Sequence, residues 1–310
     1  MKHVFVINPS AGPFDSSERI RSALAVYGKG YDYEVYSTTG PGDATRYVRD
    51  WIAKNRAVEV RFYACGGDGT LNEVVNGAAG SPHASVGCCP CGSGNDYVKY
   101  YGDKEAFLDI ESQLRSKDVP VDLMEVNGRY CINVCSFGFD TTVIRVIAEA
   151  RKKHKTGGKG AYIAGIVKAF FKSMRTRCRV KADGEVICKK RLLLCTAANG
   201  SYVGSSFRCA PYSVNDDGLM EVCLVKPMSR IRFLCMISSY IKGSHLSKAG
   251  LKKFLVYRRA KEVEIFAPSG FAVSVDGELL EDNHVTIKIR PGALRFALPG
   301  RESASAEIPA

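Results

Sequence analysis

The chain has 310 residues, of which 44 are Lys or Arg and 32 are Asp or Glu, so its formal net charge is +12. Apolar residues make up 45% and charged residues 25%, which is close to globular averages and excludes a disordered chain, a collagen-like repeat and a coiled coil. No apolar run approaches the roughly 18 to 20 residues that span a bilayer, and no secretory leader is recognisable. We therefore expect a cytoplasmic protein of about two domains.

Residues 1–122 alternate between strand and helix patterns. Strands are predicted at residues 4–7, 33–37, 58–65 and 86–89, and helices at residues 16–26, 43–54 and 71–79. Such an alternation predicts an α/β domain with a mostly parallel sheet and helices on both faces. In sheets of this kind, ligands bind beyond the carboxyl ends of the strands.

The rest of the chain is rich in short β patterns separated by turn signals such as Asn127-Gly128, Asp183-Gly184 and Asp276-Gly277. Strands are predicted at residues 119–126, 129–135, 178–182, 186–197, 219–225, 262–266, 272–275 and 285–289, and helices at residues 162–174 and 231–242. This pattern favours an antiparallel β-sandwich. We assign residues 1–122 to the α/β domain, with 290–310 as a candidate completion of it, and residues 123–289 to the sandwich.

Most of the twelve cysteines lie in apolar, strand-like runs, where they are expected to be small buried hydrophobes in a reducing compartment. The segment Cys88-Cys89-Pro90-Cys91 contains one Cys-x-x-Cys spacing. A structural zinc site needs a second ligand pair, and the sequence has none. A redox role of this strand is left open.

A glycine-rich turn, Gly66-Gly67-Asp68-Gly69-Thr70, joins a predicted strand to a predicted helix. Glycines let main-chain N–H groups approach a ligand, and a helix N-terminus attracts phosphate. A tight turn alone would explain one or two of the glycines, but not an Asp between them. Small-residue loops also follow the first and fourth strands, at residues 8–12 and 92–96, and Thr38 ends the second. We therefore predict a nucleotide phosphate site at this edge of the sheet.

The common nucleotide fingerprints are missing, because there is neither a P-loop nor a Gly-x-Gly-x-x-Gly after the first strand. The segments Asn8-Pro9-Ser10-Ala11-Gly12, Gly66 to Glu73 and Gly92-Ser93-Gly94-Asn95-Asp96, in this order and spacing, resemble the diacylglycerol kinase catalytic-domain family. Two later segments extend the resemblance over nearly the whole chain: Asn215 to Met220, and Val275-Asp276-Gly277-Glu278.

The resemblance implies transfer of the γ-phosphoryl group of ATP to a lipid hydroxyl, with ATP and Mg²⁺ as cofactors. By similarity, the nucleotide would be bound by Asn8, Pro9, Ser10, Ala11, Gly12, Thr38, Gly66, Gly67, Asp68, Gly69, Thr70, Asn72, Glu73, Ser93 and Glu278. Asp68 would act through Mg²⁺ or its water, since a carboxylate does not attract a triphosphate directly.

The resemblance also implies that Asp276 is the base that takes the proton of the acceptor hydroxyl. From the residues alone, a plain hairpin turn is the favoured interpretation of Asp276-Gly277, and the resemblance reverses it. The same resemblance implies a structural Mg²⁺ held by Asp217 and by the main-chain oxygens of Val214 and Leu219, with Asp122 as a candidate partner through water. A turn with solvated acids is the alternative there.

Residues 151–182 contain eleven Lys or Arg and no acid, and apolar residues recur at helical spacing within them. A basic amphipathic helix is typical of proteins that bind an anionic membrane surface. Nucleic acid is the rival partner, but no nucleic-acid-binding motif accompanies the charge. A merely solvated basic face is the third interpretation.

The sequence therefore predicts an ATP- and Mg²⁺-dependent lipid kinase that visits the inner face of the membrane, with its site in the cleft between the two domains. An NAD kinase-like phosphotransferase and a non-catalytic lipid- or nucleic-acid-binding protein on a kinase-like fold are the alternatives. The lipid that is phosphorylated and the oligomeric state, for which a homodimer is one option, are left open.

Overall fold

The computed structural model of the chain describes residues 1–154, Phe170 and 174–300, without the side chains of residues 147–154. The described chain divides into two compact units: Met1–Val121 with the segment from Leu294 onward, and Asp122–Ala293. The predicted helix at 162–174 lies, apart from Phe170 and Met174, outside the described residues, as does the corresponding part of the basic stretch at 151–182.

The first unit is an α/β fold. Its strands are β1 (Lys2–Ile7), β2 (Asp32–Ser37), β3 (Val60–Gly66) and β4 (Ala84–Pro90), and its helices are α1 (Ser17–Tyr27), α2 (Asp43–Lys54), α3 (Asp68–Ala78), α4 (Lys104–Leu108) and α5 (Ile110–Leu114). The strands pair in parallel in the order β4-β3-β1-β2. Every residue of β3 and β4 is buried, in keeping with their largely apolar sequences, in which the buried Arg61 donates to the hydroxyl of Ser85; β2 lies at the edge and is partly exposed.

The second unit is built from antiparallel strands. They are β5 (Lys117–Val126), β6 (Arg129–Cys131), β7 (Val134–Gly138), β8 (Thr176–Arg177), β9 (Arg179–Ala182), β10 (Glu185–Cys188), β11 (Arg191–Leu192), β12 (Leu194–Ala198), β13 (Met220–Val225), β14 (Leu255–Ala260), β15 (Glu262–Phe266), β16 (Ala272–Val275), β17 (Glu278–Glu281) and β18 (His284–Leu298). The described helices of this unit are α6 (Phe139–His154), α7 (Arg230–Ile241) and α8 (Ala249–Lys252).

Two sheets form the sandwich of the second unit. One has the order β14-β13-β12-β7-β16-β17, and β10, β9, β15 and β18 pair in that order in the other. Side chains from both sheets, such as Phe137, Val222, Val263 and Ile287, meet in one fully buried core. The predicted fold class, a mostly parallel α/β domain followed by an antiparallel β domain, is confirmed.

The C-terminal end of β18 belongs to the first unit, where Arg295 and Phe296 pair in parallel with Ser85 and Val86 of β4. The Phe296 ring lies edge-on to that of Tyr97, with ring centroids 5.2 Å apart. The first unit is therefore completed by the end of the chain.

Several local predictions differ from the structure, among them the strand predicted at 186–197, which is broken into β10, β11 and β12. Helix α3 begins at Asp68 and not at residue 71, so most of the glycine-rich turn is the first turn of the helix. The strand predicted at 129–135 is broken into β6 and β7. Helix α6 was not predicted, because its β-branched residues Thr141, Thr142 and Val143 have a low helix propensity.

Within the described residues, no helix is both long enough and apolar enough to cross a membrane.

Candidate active site

The carboxyl ends of β1, β3 and β4 meet at one edge of the parallel sheet, and each is followed by one of the predicted small-residue loops. The main-chain N–H of Asn8 donates a hydrogen bond to the carbonyl of Cys65 over 2.9 Å. Its side chain accepts the N–H of Ser10 at 3.0 Å and donates to the hydroxyl of Thr70 at 3.0 Å. Asn8 therefore joins the first loop to the start of α3.

Thr38 lies at the same edge, because its N–H donates to the carbonyl of Ile7 over 2.8 Å and so continues the pairing of β2 with β1. Ser93 is exposed in the loop after β4. The structure thus brings Asn8, Ser10, Thr38, Thr70 and Ser93, together with the glycines of the turn, to one edge of the first unit.

Two kinds of glycine line this edge. A Cβ on Gly66 would lie 2.3 Å from the Thr70 hydroxyl oxygen, one on Gly92 would lie 2.3 Å from the Cα of Gly67, and one on Gly12 would lie 2.2 Å from the carbonyl oxygen of Cys91. These three glycines let the loops pack against one another. Gly12 also has a φ of +80°, which side chains rarely adopt.

Gly67 and Gly69 are less crowded, and Gly69 faces open space. A Cβ on Gly67 would come no closer than 3.3 Å to the Cα of Gly92, and one on Gly69 would have no neighbour within 4 Å. Both lie at the N-terminal end of α3, where the first N–H groups of a helix lack intrahelical acceptors and carry partial positive charge. This opening is suited to an anionic group such as phosphate.

Asp68 ties the third loop to this helix end. Its Oδ1 accepts the main-chain N–H of Asp96 at 2.6 Å. Asn95, with a φ of +54°, also holds that loop, since its side chain accepts the N–H of Gly92 and donates to the carbonyls of Pro90 and Gly92. The loop after β4 is therefore held by two side chains: Asp68 at the start of α3, and Asn95 within the loop itself.

Two residues of the predicted nucleotide set lie deeper in the first unit. The Glu73 carboxylate accepts the N–H groups of Gly42 at 2.8 Å and Ala44 at 3.1 Å, and so caps the N-terminus of α2. Asn72 is buried, and its main-chain and side-chain oxygens accept hydrogen bonds from Asn76. Glu73 therefore joins α3 to the start of α2, whereas these bonds of Asn72 lie within α3.

One cationic group at the edge escaped the sequence analysis. The guanidinium of Arg19, in the first turn of α1, donates to the sulfur of Cys91 over 3.5 Å. It brings a positive charge to the loop after β4. Nothing in the spacing of α1 identifies Arg19, because its proximity to Cys91 arises from packing between distant segments.

In the second unit, Asp276 and Gly277 form the two-residue turn between β16 and β17. Their φ angles are +48° and +94°, which is the conformation of a tight β-hairpin turn. The hairpin interpretation of Asp276-Gly277 is thus correct for the backbone. It does not account for the side chain.

The Asp276 carboxylate is bound by the break between β6 and β7. Its Oδ1 accepts the N–H groups of Asn133 and Val134, each at 3.0 Å, and its Oδ2 accepts the N–H of Ile132 at 2.9 Å. The thiol of Cys131 donates to Oδ1 over 3.0 Å. Burial, assisted by the nearby carboxylate, raises the pKa of the Cys131 thiol well above its usual range, so the thiol remains a donor.

The other side of this loop is held by Asn199. Its side chain donates to the carbonyls of Asp122 at 2.7 Å and Ile132 at 3.0 Å, and its N–H donates to the carbonyl of Asn133 at 2.9 Å. Sequence analysis missed Asn199, which is fully buried.

Glu278, two residues after Asp276, forms an exposed ion pair with Arg129.

The carboxylates at the predicted metal-binding loop bind other groups of the protein. One oxygen of Asp217 pairs with the guanidinium of Arg259, and the other accepts the N–H of Leu219 at 3.0 Å. Asp122 accepts the N–H groups of Gly218 at 2.6 Å and Gly292 at 2.8 Å. No cluster of three or more His, Cys, Asp or Glu side chains in the described part of the chain could hold a metal ion. The predicted set consists of one carboxylate and two main-chain oxygens, which that finding does not test, so the metal role of Val214, Asp217 and Leu219 stays a prediction.

Asp140, in the first turn of α6, is an acid that the sequence analysis did not name. Among the described residues its Oδ2 is buried without a hydrogen-bond partner. Burial raises the pKa of Asp140 to about 6, and a hydrogen bond from Ser136 opposes that shift in part. The side chain therefore takes up a proton in mildly acidic solution.

Comparison with known proteins gives matches over almost the whole chain. The family model described as diacylglycerol kinase catalytic domain matches residues 2–126, and the one described as YegS C-terminal NAD kinase beta sandwich-like domain matches residues 133–298. A Pseudomonas aeruginosa protein named "Probable lipid kinase YegS-like" is 30% identical, covering 91% of this chain and 90% of its own. The diacylglycerol kinase of Bacillus subtilis is 27% identical, covering 90% of each.

Solved structures show the same fold. A diacylglycerol kinase from Bacillus anthracis superposes with a TM-score of 0.70 at 20% identity, covering 95% of this chain and 96% of the other. An NAD kinase from Archaeoglobus fulgidus in complex with ATP gives a TM-score of 0.51 at 13% identity, covering 97% of this chain and 94% of the other. The resemblance inferred from the glycine-rich loops and the Asp-Gly-Glu segment is confirmed.

Replacing Asp140 with Asn should stabilise the protein at pH 8. A pKa of about 6 in the folded chain against 3.8 in the unfolded chain means that the stability of the natural protein falls as the pH rises from about 4 to about 6. The full difference corresponds to about 3 kcal/mol. Urea unfolding of both proteins between pH 4 and pH 8 should show a gain for Asp140→Asn above pH 6 that vanishes near pH 4. A gain that is independent of pH would contradict the shifted pKa.

Proposed function

The chain belongs to the diacylglycerol kinase catalytic-domain family, and on that premise we propose that it transfers the γ-phosphoryl group of ATP, bound with Mg²⁺, to the hydroxyl of a lipid such as diacylglycerol. Its relatives are named lipid kinase and diacylglycerol kinase, so it is an enzyme of the lipid kinase type. The observation that carries the proposal is the open space beside Gly69 at the N-terminus of α3, next to the loops that follow three parallel strands.

The first unit would bind the nucleotide. N–H groups at the start of α3 would donate to phosphate oxygens, and Arg19 would contribute positive charge from the first turn of α1. The hydroxyls of Ser10, Thr38 and Ser93 lie in loops at the same edge and are donors for the same oxygens. Glu73 binds the N-terminus of α2 and Asn72 is buried within α3, and the nucleotide role of both residues stays a prediction.

Mg²⁺ would neutralise charge on the phosphates as the phosphoryl group is transferred. Such an ion is usually held by one or two carboxylates together with waters and the phosphates themselves. Asp68 supplies a carboxylate at the helix end beside the open space at Gly69, so it is the residue that we assign to the metal of the nucleotide. It would act through a water ligand.

The second unit would supply the base. Phosphoryl transfer to an alcohol needs a group that takes the hydroxyl proton, and a positioned carboxylate can do so. We assign this role to Asp276, whose orientation is fixed by the N–H groups of residues 132–134. Because the carboxylate is locked, little ordering would be required when the acceptor binds. Glu278 would assist in binding the nucleotide and its metal once its exposed pair with Arg129 opens.

An NAD kinase-like activity is the second candidate, because the C-terminal family model and one ATP-bound structural neighbour carry that name. The sequence identity to that neighbour is 13%, against 30% to the lipid kinase relative. The lipid reaction is therefore favoured. A purely non-catalytic role is set aside, since the chain belongs to a family of kinases.

Incubation with γ-labelled ATP separates these reactions. We expect label in the lipid fraction when diacylglycerol micelles are supplied, none in NAD, and none in either after EDTA treatment until Mg²⁺ is restored. Fractionated lipid extracts, with products identified by mass, would then name the acceptor. Label in NAD but in no lipid would overturn the proposal.

Replacing Gly67 with Asp should weaken ATP binding on the order of 100-fold, because a negative charge about 4 Å from phosphate costs a few kcal/mol near a protein surface. Gly67→Asn is the matched control, since it adds nearly the same volume without the charge. Gly67→Ala tests the added Cβ alone, which has only the Cα of Gly92 within 3.3 Å. Equal losses for Asp and Asn, measured by titration calorimetry, would show that charge at this position is irrelevant.

Replacing Asp276 with Asn should lower kcat by about 10²–10⁴-fold, the usual contribution of a general base. Asn tolerates the left-handed conformation of this turn, so the hairpin should persist. Asp183→Asn is the matched control: Asp183 has a φ of +46°, precedes a glycine in a hairpin turn, and accepts the N–H groups of Lys261 and Glu262. It should leave kcat unchanged. Equal losses in the two variants would assign Asp276 a structural role only.

A further inference from the structure

Residues 226–261 form a second basic segment, distinct from the stretch at 151–182. They contain no Asp or Glu and ten basic residues: Lys226, Arg230, Arg232, Lys242, Lys248, Lys252, Lys253, Arg258, Arg259 and Lys261. All of them lie in the described part of the second unit, in and around helix α7. The structure therefore gives the positions of these basic residues.

Helix α7 has one inward face and one outward face. Phe233, Met236 and Tyr240 point inward, where they join an apolar cluster with Phe139 and Val225. The spacing of 3.6 residues per turn then places residues 231, 234, 235, 238, 241 and 242 together on the opposite face. All six are exposed.

The outward face is apolar, although it meets solvent. Ile231 is 77% exposed, Leu234 53% and Ile241 42%, and Ile231 exceeds every other exposed large apolar residue of the described chain except Phe14. Cys235 and Ser238 lie between them, and the one charged member of the face, Lys242, follows the last turn of the helix. Contiguous exposed apolar surface of this kind marks a site of interaction with a protein or a membrane.

Basic groups border this apolar face. The Arg232 guanidinium lies 4.7 Å from the centre of the Phe254 ring, and the Lys253 ammonium lies 5.4 Å from the same centre, so both charges occupy one patch. Lys242 follows the last turn of the helix. Among the described residues, Arg258 and Arg259 form ion pairs with acids, whereas Arg232, Lys242 and Lys253 form none. Their charge is therefore available to an anionic partner.

The helix itself does not explain these charges. Its first turn carries Arg230 and Arg232 and no acid, although the N-terminus of a helix favours negative side chains. Ser229 caps this end by accepting the N–H of Arg232 at 3.4 Å. Both arginines oppose the local electrostatic preference of the helix. Arg230 donates to the carbonyl of Phe170 over 3.0 Å, so Arg232 is the one that is consistent with a role toward an external anion.

We propose that the outward face of α7 docks on an anionic lipid surface, with Ile231, Leu234 and Ile241 entering the acyl boundary and Arg232, Lys242 and Lys253 facing the headgroups. The inference deepens the proposed function, on which it rests, by naming the surface that would bring the kinase to its lipid. An aliphatic face bordered by cations is the composition of interfacial helices. A nucleic acid offers no apolar counterpart to this face, and a second copy of the chain would oppose like charges.

Flotation of the full chain with vesicles, in the absence of ATP, tests the proposal. We expect binding to phosphatidylcholine vesicles that contain phosphatidylglycerol, little binding to phosphatidylcholine alone, and weakening by salt. Each basic group near such a surface contributes roughly fivefold in affinity, so Arg232→Gln with Lys253→Gln should lose about 25-fold. Ile231→Ser with Leu234→Ser should lose about tenfold or more through the apolar contact.

Val26→Ser with Lys29→Gln is the matched control. It removes an apolar side chain that is 62% exposed, together with a nearby cation, from helix α1 and its C-terminal end in the first unit. The control should bind vesicles as the natural protein does. Equal binding by the control and both face variants, or equal binding to neutral vesicles, would overturn the docking surface. So would a lipid-free dimer that Ile231→Ser with Leu234→Ser converts to a monomer.

Cys235 allows a direct measurement, because it is the one exposed cysteine of the twelve and lies on this face. In a Cys91→Ser background, an environment-sensitive dye on Cys235 should shift its emission to the blue on addition of anionic vesicles. An unchanged spectrum would contradict insertion of the face. Since these readouts need neither ATP nor acceptor, a chain that binds vesicles but phosphorylates no lipid would contradict the proposed function alone.

Discussion

The carboxylate of Asp276 organises the part of the second unit on which its proposed chemistry depends. It accepts three consecutive main-chain N–H groups and a buried thiol, all from the break between β6 and β7. Buried N–H groups that do not enter a sheet ladder need another acceptor, and here a single side chain provides it. The same bonds hold the carboxylate in one orientation. Its structural role and its proposed role as a base are thus consequences of one arrangement.

In the first unit, glycines and a few side-chain hydrogen bonds arrange the loops at the edge of the sheet. Gly12, Gly66 and Gly92 are required because neighbouring backbone or side-chain atoms occupy the space of a Cβ, whereas Gly67 is less crowded and Gly69 leaves space open. The first group brings the three loops together, and the second leaves room at the N-terminus of α3. Asn8, Asp68 and Asn95 then connect the loops by side-chain hydrogen bonds. The open edge is accordingly rigid before any nucleotide arrives, which reduces the cost of ordering it on binding.

Part of the positive charge of the chain lies around α7, in the second unit. A net charge of +12 by itself is compatible with nucleic acid, membrane or solvent as the partner of the basic residues. Around α7 the cations border exposed aliphatic side chains, and this combination favours a lipid surface. For an enzyme whose acceptor is a lipid, a docking face and a phosphoryl-transfer site serve the same reaction.

Sequence alone determined the fold class, the glycine-rich loops and the family, because hydrophobic periodicity and short motifs are local properties of the chain. It also placed Asp276 in a hairpin turn. Tertiary structure decided the contacts that local patterns do not contain. Asp276 binds the N–H groups of residues 132–134, and Glu73 caps α2. Arg19 donates to the sulfur of Cys91, and Arg259 forms an ion pair with Asp217. Each of these contacts joins residues far apart in the chain or on separate elements. Their partners are chosen by packing, which the spacing of residues along one segment does not encode.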